Sequence, residues 1–340
     1  MLKIKKRNLR WADIDMGAIE LSKLLKHFSQ CLKAEGKSPK TVSWYEEMLC
    51  VFLRYLESSG IIPVLTNFNL ESIRTFIVYE QNRGLSPYTV QARVRAVKAF
   101  SSWLFGEQYT EENMLATLKM PKAPVRMIEP LTVEEIDRLI SVQKHLTAIG
   151  SRNTAILITF LGTGLRESEL SNLSFKDAHI EQGYFKVMGK GSKERVVPVG
   201  GLGQKVLWRY VFHFRPEPIN ELNNYLFLTL DGKKLEPNAI KLLLKRWGKK
   251  AGVPRLHAHL CRHTYATDFL IYNCGDVFRL QQILGHTTLE MVRKYVHYAS
   301  AHTLIQGNIT SPIDRMGIKG LRSYKIDQAL RNNGCLTREY

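Results

Sequence analysis

Two stretches of the chain begin alike and constrain the fold more than anything else in it. GKSPKTVSWYEEMLCVFLRYL (36–56) and GLSPYTVQARVRAVKAFSSWL (84–104) share G-x-S-P-x-T-V, and each puts Phe and Leu at matching later positions, Phe52 with Leu56 and Phe100 with Leu104. In both, serine can cap a helix while proline takes the first helical position, where its missing N–H costs nothing. Two copies are too few for a repeat array. They predict instead a compact helical domain in which two helices present equivalent N-termini. A preceding helix over 18–34 fits the same domain, with Ile19, Leu21, Leu24, Leu25, Phe28 and Leu32 at helical spacing and Gly36 closing the segment.

Charge then narrows the partners. The 340 residues carry 49 Lys plus Arg against 31 Asp plus Glu, a net +18, with 44% hydrophobic residues. That length allows two domains with a core each, and that charge favours a polyanion: nucleic acid first, an anionic membrane surface second. No apolar run reaches the roughly 18 residues of a membrane span, and MLKIKKRNLR is basic without the apolar stretch of a signal peptide, so a cytoplasmic protein is expected. Cys31, Cys50, Cys261, Cys274 and Cys335 are odd in number and form no C-x-x-C pair, which suggests reduced thiols rather than a disulfide framework or a zinc knuckle.

The expected organisation is a basic arm (1–17), a helical DNA-binding domain (18–106), a linker (107–130), a second domain (131–300) and a tail (301–340). The linker reading rests on fading periodicity with Pro121, Pro124 and Pro130 among Lys119, Lys122 and Arg126. Thr132 three residues before Glu135 makes a capping box that opens the second domain. There RNTAILITFLGTG (152–164) reads as a buried helix that RESELSNL continues, and YFKVMGKGSKERVVPV as two strands around a Gly-Lys-Gly-Ser turn. Further helices are expected near 202–212, 238–251, 258–271, 276–284 and 288–298, with a short strand YLFL (225–228). The fold class is therefore mainly α with a small β-sheet. Phosphate contacts are expected from Lys40, Thr41, Thr89, Arg93, Arg95 and Lys98 at or behind the paired helix starts, with Lys122 in the linker and Lys193 on the hairpin. A solvated cationic face is the alternative for these residues.

Polar groups collect at the joints of the second domain: Arg166 after TGL, Lys190 in the hairpin turn, His259 and Arg262 one turn apart, His286 after the helix-closing Gly285, and Tyr295 beyond it. Each has a plain explanation alone, Arg166 as a partner of Glu169 and Tyr295 as a neighbour of Val292 and Val296. Together they match phosphodiester transfer through a protein nucleophile. Two guanidiniums can hold the non-bridging oxygens of a pentavalent phosphorus bidentately without a metal, and Arg166 and Arg262 suit that role. A lysine whose pKa neighbouring arginines depress can protonate the leaving oxygen, and a phenol, with a reference pKa near 10, needs a base or a positive pocket to attack.

The boxes TGLRESEL, GKGSKERVVPV, HLCRHTYAT and LGHTTLEMVRKYVH resemble, in order and spacing, those of the tyrosine recombinase or phage integrase family. AILITFLG, PLTVEE and the two S-P-x-T-V helices are similar to that family as well, so the resemblance covers roughly residues 18–300. It implies a SAM-like core-binding domain and a mixed catalytic domain that form a clamp around double-stranded DNA bearing specific core sites. Tyr295 would form a 3′-phosphotyrosyl link, Arg166 and Arg262 would hold the phosphate, Lys190 would be the general acid, His259 would assist proton transfer and His286 would hydrogen-bond the phosphate. Glu169 would order Arg166. The family needs no metal, no ATP and no other cofactor, and exchanges strands through a four-way junction in a homo-tetramer, some members with accessory or partner recombinases. Its tails often dock on a neighbouring subunit.

Several alternatives stay open. Lys186 and Lys193 share the hairpin with Lys190, and Tyr298 lies one turn beyond Tyr295. His257, His259, Cys261 and His263 crowd together, and His259 with His263 have the i, i+4 spacing of a helical zinc pair, but Leu260 stands where H-E-x-x-H needs glutamate. A catalytically inert DNA-binding member of the same fold is the remaining rival. The long tail points to integration, excision or transposition of a mobile element, with Xer-like dimer resolution as the alternative.

Overall fold

The computed structural model describes residues 16–124, 128–143, 146–189, 194–272, 276–286, 288–290, 292, 293, 295 and 296. The chain divides into two compact units, Met1–Arg126 and Met127–Tyr340. No helix among the described residues is long and apolar enough to cross a membrane.

The first unit is built from α1 (Leu21–Ala34), α2 (Pro39–Ser58), α3 (Leu70–Asn82) and α4 (Pro87–Gly106). The paired helix starts form as expected. Ser38 Oγ accepts from the Thr41 N–H at 3.2 Å and Ser86 Oγ from the Thr89 N–H at 3.1 Å, with a proline next in each helix. The matching Phe and Leu positions face the core: Phe52, Leu56, Phe100 and Leu104 are all buried. Phe28, Phe68 and Phe76 join them in an aromatic cluster of largely edge-to-face contacts. Helix α3 was not among the expected elements. Asn69 caps it, and Ile73, Phe76 and Ile77 face the core beside the buried Glu80, which interrupts the apolar period.

The expected linker is partly core. Leu115 and Leu118 are buried in the first unit, Asn113 Oδ1 accepts from Ser101 Oγ at 2.8 Å, and Lys98 Nζ donates to the Leu118 carbonyl at 2.6 Å. These residues pack through turns rather than a helix, so no period marks them.

The second unit holds α5 (Val133–Ser141), α6 (Ala148–Thr163), α7 (Glu167–Asn172), β1 (Ala178–His179), β2 (Tyr184–Met188), β3 (Glu194–Pro198), α8 (Gly201–His213), α9 (Pro237–Lys250), α10 (Ala258–Tyr272) and α11 (Val277–Leu284). The expected capping box opens α5, with Thr132 N–H to Glu135 at 3.0 Å and Glu135 N–H to Thr132 Oγ1 at 3.2 Å. The strands form one antiparallel sheet in the order β1-β2-β3, with Val187 opposite Arg195 and Lys186 opposite Val196.

Two expectations differ from the structure. The 152–164 helix does not run on into RESELSNL: Gly164 caps α6 in the left-handed region at φ 63°, and α7 starts afresh after Arg166. YLFL (225–228) is no strand of the sheet and makes only isolated bridges, Ser174 with Tyr225 and Leu228 with Lys234. Three of its carbonyls are taken by side chains, since Arg215 donates to Tyr225 and Leu226 at 2.7 and 3.2 Å and Arg152 to Leu228 at 2.9 Å, and the Phe227 carbonyl accepts from the Leu235 N–H at 3.3 Å. With those acceptors occupied inside the core, no neighbouring strand is needed.

Candidate active site

Gly164 sets the geometry. Its left-handed turn carries the chain from α6 into α7, and a Cβ there would lie 2.5 Å from Tyr265 Cδ1 and 2.8 Å from Leu284 Cδ2. Only glycine fits both the conformation and the space. The turn brings Arg166 to the start of α7, where its N–H donates to Glu169 Oε2 at 2.8 Å and its Nη1 to Glu169 Oε1 at 2.7 Å. Glu169 is buried. Burial alone would push its carboxyl up, but hydrogen bonds and charge from Arg195 and Arg166 outweigh this and hold it below the usual carboxylate range.

Arg262, on the inner face of α10, is 3% exposed. Its Nη1 donates to the Gly164 carbonyl at 2.8 Å and its Nη2 to the Leu284 carbonyl at 2.9 Å. Burial, and then repulsion from Arg166, pulls its pKa down to about 10, so it stays charged at neutral pH. Its Nη2 also lies 2.7 Å from His286 Nε2. An arginine can only donate, so Nε2 is the acceptor in this contact. His286 sits just after Gly285, which ends α11 in the left-handed region at φ 62°.

Tyr295 is 3% exposed and packs with Ala266, Leu270, Leu280, Leu284 and Val292. Its ring stacks nearly parallel to that of His286, with centroids 6.2 Å apart and planes 8° apart, and meets the His263 ring edge-on at 5.0 Å. The tyrosine is thus both a packing residue and a neighbour of His286, which also meets Arg262. His259, on the first turn of α10, is exposed. Arg166, Arg262, His286 and Tyr295 come together around the end of α11. Lys190, Lys193, Thr287 and Tyr298 lie outside the described residues. Lys186 is exposed, on the sheet face opposite to Val187 and Arg195.

Two residues at the site were not singled out for it. His263 was weighed only as a zinc ligand, yet it is buried against Tyr295, whereas His257 is exposed with its Nδ1 beside the Arg255 carbonyl at 2.6 Å. Arg195 reaches Glu169 with both terminal nitrogens, Nη1 to Oε1 at 3.0 Å and Nη2 to Oε2 at 2.8 Å. The period of β3 held the signal for it: Arg195, Val197 and Val199 share the inward face, and a charge in that register needs a buried partner.

In the first unit the expected phosphate contacts separate. Lys40, Arg95 and Lys122 are exposed, and Thr41 and Thr89 lie at the two helix caps. Arg93 is mostly buried and paired with Glu80, and Lys98 is bonded to the Leu118 carbonyl. These last two are engaged within the unit.

A family model described as the phage integrase family matches residues 129–302, just over half of the chain. The chain belongs to the phage integrase family. A second model, the phage integrase N-terminal SAM-like domain, matches residues 25–108. Among curated relatives, the tyrosine recombinase XerD of Oceanobacillus iheyensis is 29% identical over 281 residues, covering 82% of this chain and 94% of that protein. The tyrosine recombinase XerC of Bacillus pumilus is 33% identical over 210 residues, covering 60% and 68%. Of solved structures, XerH bound to a palindromic difH substrate shares the fold with a TM-score of 0.65 and 21% identity, over 86% of this chain and 92% of that one. The Tn1549 transposon integrase in complex with transposon right-end DNA has a TM-score of 0.64 and 19% identity, over 84% and 99%. This member of the phage integrase family is a tyrosine recombinase, an enzyme that cleaves and rejoins DNA in site-specific recombination.

Proposed function

We propose that Tyr295 attacks the scissile phosphate to give a 3′-phosphotyrosyl intermediate, with Arg166 and Arg262 holding the non-bridging oxygens and His286 donating a hydrogen bond to them. Lys190 is the general acid for the leaving 5′ oxygen and His259 assists the proton transfer. The observation that carries this reading is the contact chain Arg262–His286–Tyr295, closed by Arg166 on the neighbouring Gly285 carbonyl at 3.4 Å. Guanidiniums fixed before substrate arrives are what stabilisation of a developing charge requires.

The exposed cations of the first unit, Lys40, Arg95 and Lys122, supply backbone contacts, so that the two units together clamp double-stranded DNA in the cytoplasm. Strand exchange runs through a four-way junction in a homo-tetramer, with the forty-residue tail docking on a neighbouring subunit. The setting is integration, excision or transposition of a mobile element. Similarity to XerD over 94% of that protein supports dimer resolution as the second reading.

The test is a duplex library with a randomised core and a nick that lets the leaving strand diffuse away. Wild-type chain should give SDS-resistant complexes whose recovered DNA defines a preferred sequence, Tyr298→Phe should give them too, and Tyr295→Phe should give none while still binding the recovered duplex. Adducts that survive in Tyr295→Phe and vanish in Tyr298→Phe would move the nucleophile; none from the wild type would favour a binding protein without catalysis.

A further inference from the structure

Three arginines from three separate elements end on one helix terminus. Arg195 Nε donates to the Ile283 carbonyl at 2.7 Å, Arg262 Nη2 to the Leu284 carbonyl at 2.9 Å and Arg166 Nη2 to the Gly285 carbonyl at 3.4 Å. These are successive carbonyls at the C-terminus of α11. The last carbonyls of a helix have no partner within it and carry the negative end of its dipole, so this terminus is a natural seat for cations. Two of the three arginines are already assigned to the scissile phosphate. The third is not.

Arg195 is built in rather than draped on the surface. It faces inward from β3 with its side chain 11% exposed, and its planar fork meets both oxygens of Glu169. The same carboxylate takes the N–H and Nη1 of Arg166. Gly285 makes room for it: a Cβ there would lie 3.1 Å from Arg195 Cδ and 3.2 Å from its Nε. One guanidinium therefore fixes the plane of Glu169 on one side and the end of α11 on the other. Glu169 in turn orients Arg166, and the end of α11 orients Arg262 and His286.

We propose that Arg195 is a positioning residue for cleavage, which locks Glu169 and the α11 terminus into one frame so that Arg166 and Arg262 meet the phosphate at a set spacing. The inference rests on the reading of those two arginines as the phosphate clamp. It also gives β3, the return strand of the hairpin, a direct tie to the clamp. Lysine keeps the charge at this position but has no fork, so it can serve Glu169 or Ile283 but not all three acceptors.

The experiment uses the full chain and the duplex recovered from the randomised library, in single-turnover cleavage with enzyme in excess. Arg195→Gln should lower the rate constant of adduct formation about 10- to 100-fold, as a misplaced reacting group does, with duplex Kd within about 2-fold of wild type. Arg195→Lys, the variant that keeps the charge, should fall between the two. Amplitude reports the fraction of folded, active molecules and rate constant reports their chemistry, so a merely structural role would reduce the first and spare the second. A wild-type rate constant in Arg195→Lys, or in the active fraction of Arg195→Gln, overturns the proposal. Absence of any adduct from the wild type would instead overturn the reading of the site.

Discussion

Replacing Gly164 with alanine measures how far Arg166 and Arg262 depend on the backbone that seats them. Gly164 caps α6 at φ 63°, and an added Cβ would sit 2.5 Å from Tyr265 Cδ1, 3.1 Å from Tyr265 Cε1 and 2.8 Å from Leu284 Cδ2. Leu284 is fully buried and the Tyr265 ring packs in the same cluster, so neither can withdraw unless α10 or α11 moves. The left-handed backbone costs an alanine about 1 kcal/mol, and forcing a methyl into a dense core about 1–3 kcal/mol, roughly 2–4 kcal/mol together. For a unit of this size that lowers Tm by about 4–16 °C. Gly162 supplies the control, since it is exposed in the last turn of α6 with nothing within 4 Å of its Cβ position, and Gly162→Ala should be neutral or stabilising by up to about 1 kcal/mol. Circular dichroism melting of both variants reads the difference. Because the Gly164 carbonyl accepts from Arg262 Nη1 at 2.8 Å, adduct formation should also slow in Gly164→Ala at temperatures where both variants are folded. Equal melting of the two variants would refute the argument that this turn is held by sterics.

Two further predictions separate stability from chemistry. Glu169→Gln leaves two guanidiniums facing an amide that can accept only at one atom, at a cost of about 3–5 kcal/mol at neutral pH. The folded carboxyl is held below its unfolded value, so its contribution is full above the usual carboxylate range and is lost as pH falls through the folded value. Urea denaturation should show the gap between wild type and variant narrowing on acidification, and a gap constant with pH would contradict the ionised pairing. In the first unit, Arg93→Ala removes a partner of the fully buried Glu80 and should cost about 3 kcal/mol. Arg95→Ala, on the exposed face of α4, should change stability by less than about 0.5 kcal/mol and lower the slope of log Kd against log salt by about 1. The opposite pattern would exchange the roles of these two arginines.

Much of this was legible from local signals. The Ser-Pro helix starts and the Thr132–Glu135 box announce themselves because a cap needs only a few neighbouring residues. Gly285 and His286 were readable for the same reason: a helix-closing glycine marks where backbone carbonyls end. What escaped was whatever depends on a distant partner. Arg195 and Glu169 are 26 positions apart and meet only because β3 folds back over α7. Arg93 read as a phosphate contact because its sequence neighbours are cationic, while its partner Glu80 sits on another helix. YLFL reads as a strand because its apolar run is strand-like, whereas three of its four carbonyls are taken by Arg152 and Arg215 from elsewhere in the core.

The arrangement also explains why a phosphodiester belongs here electrostatically. Arg166, Arg195 and Arg262 crowd the end of α11 with Glu169 as their shared counter-charge, three positive groups against one negative. The depression of Arg262 to about 10 records the cost: its charged form is disfavoured first by burial and then by Arg166. Helix carbonyls offset part of that cost but carry no full charge, so the cluster keeps a net positive field in a poorly solvated place. On the proposed mechanism, a phosphate entering between Arg166 and Arg262 offsets the repulsion between them, and the further negative charge that develops in a pentavalent transition state offsets more. Attraction that grows along the reaction coordinate lowers the barrier, whereas attraction equal in ground and transition states would only tighten binding. The core of the second unit holds the arginines together, and on this reading Gly164 and Arg195, through their contacts with Arg262 and Glu169, act on the rate without touching DNA.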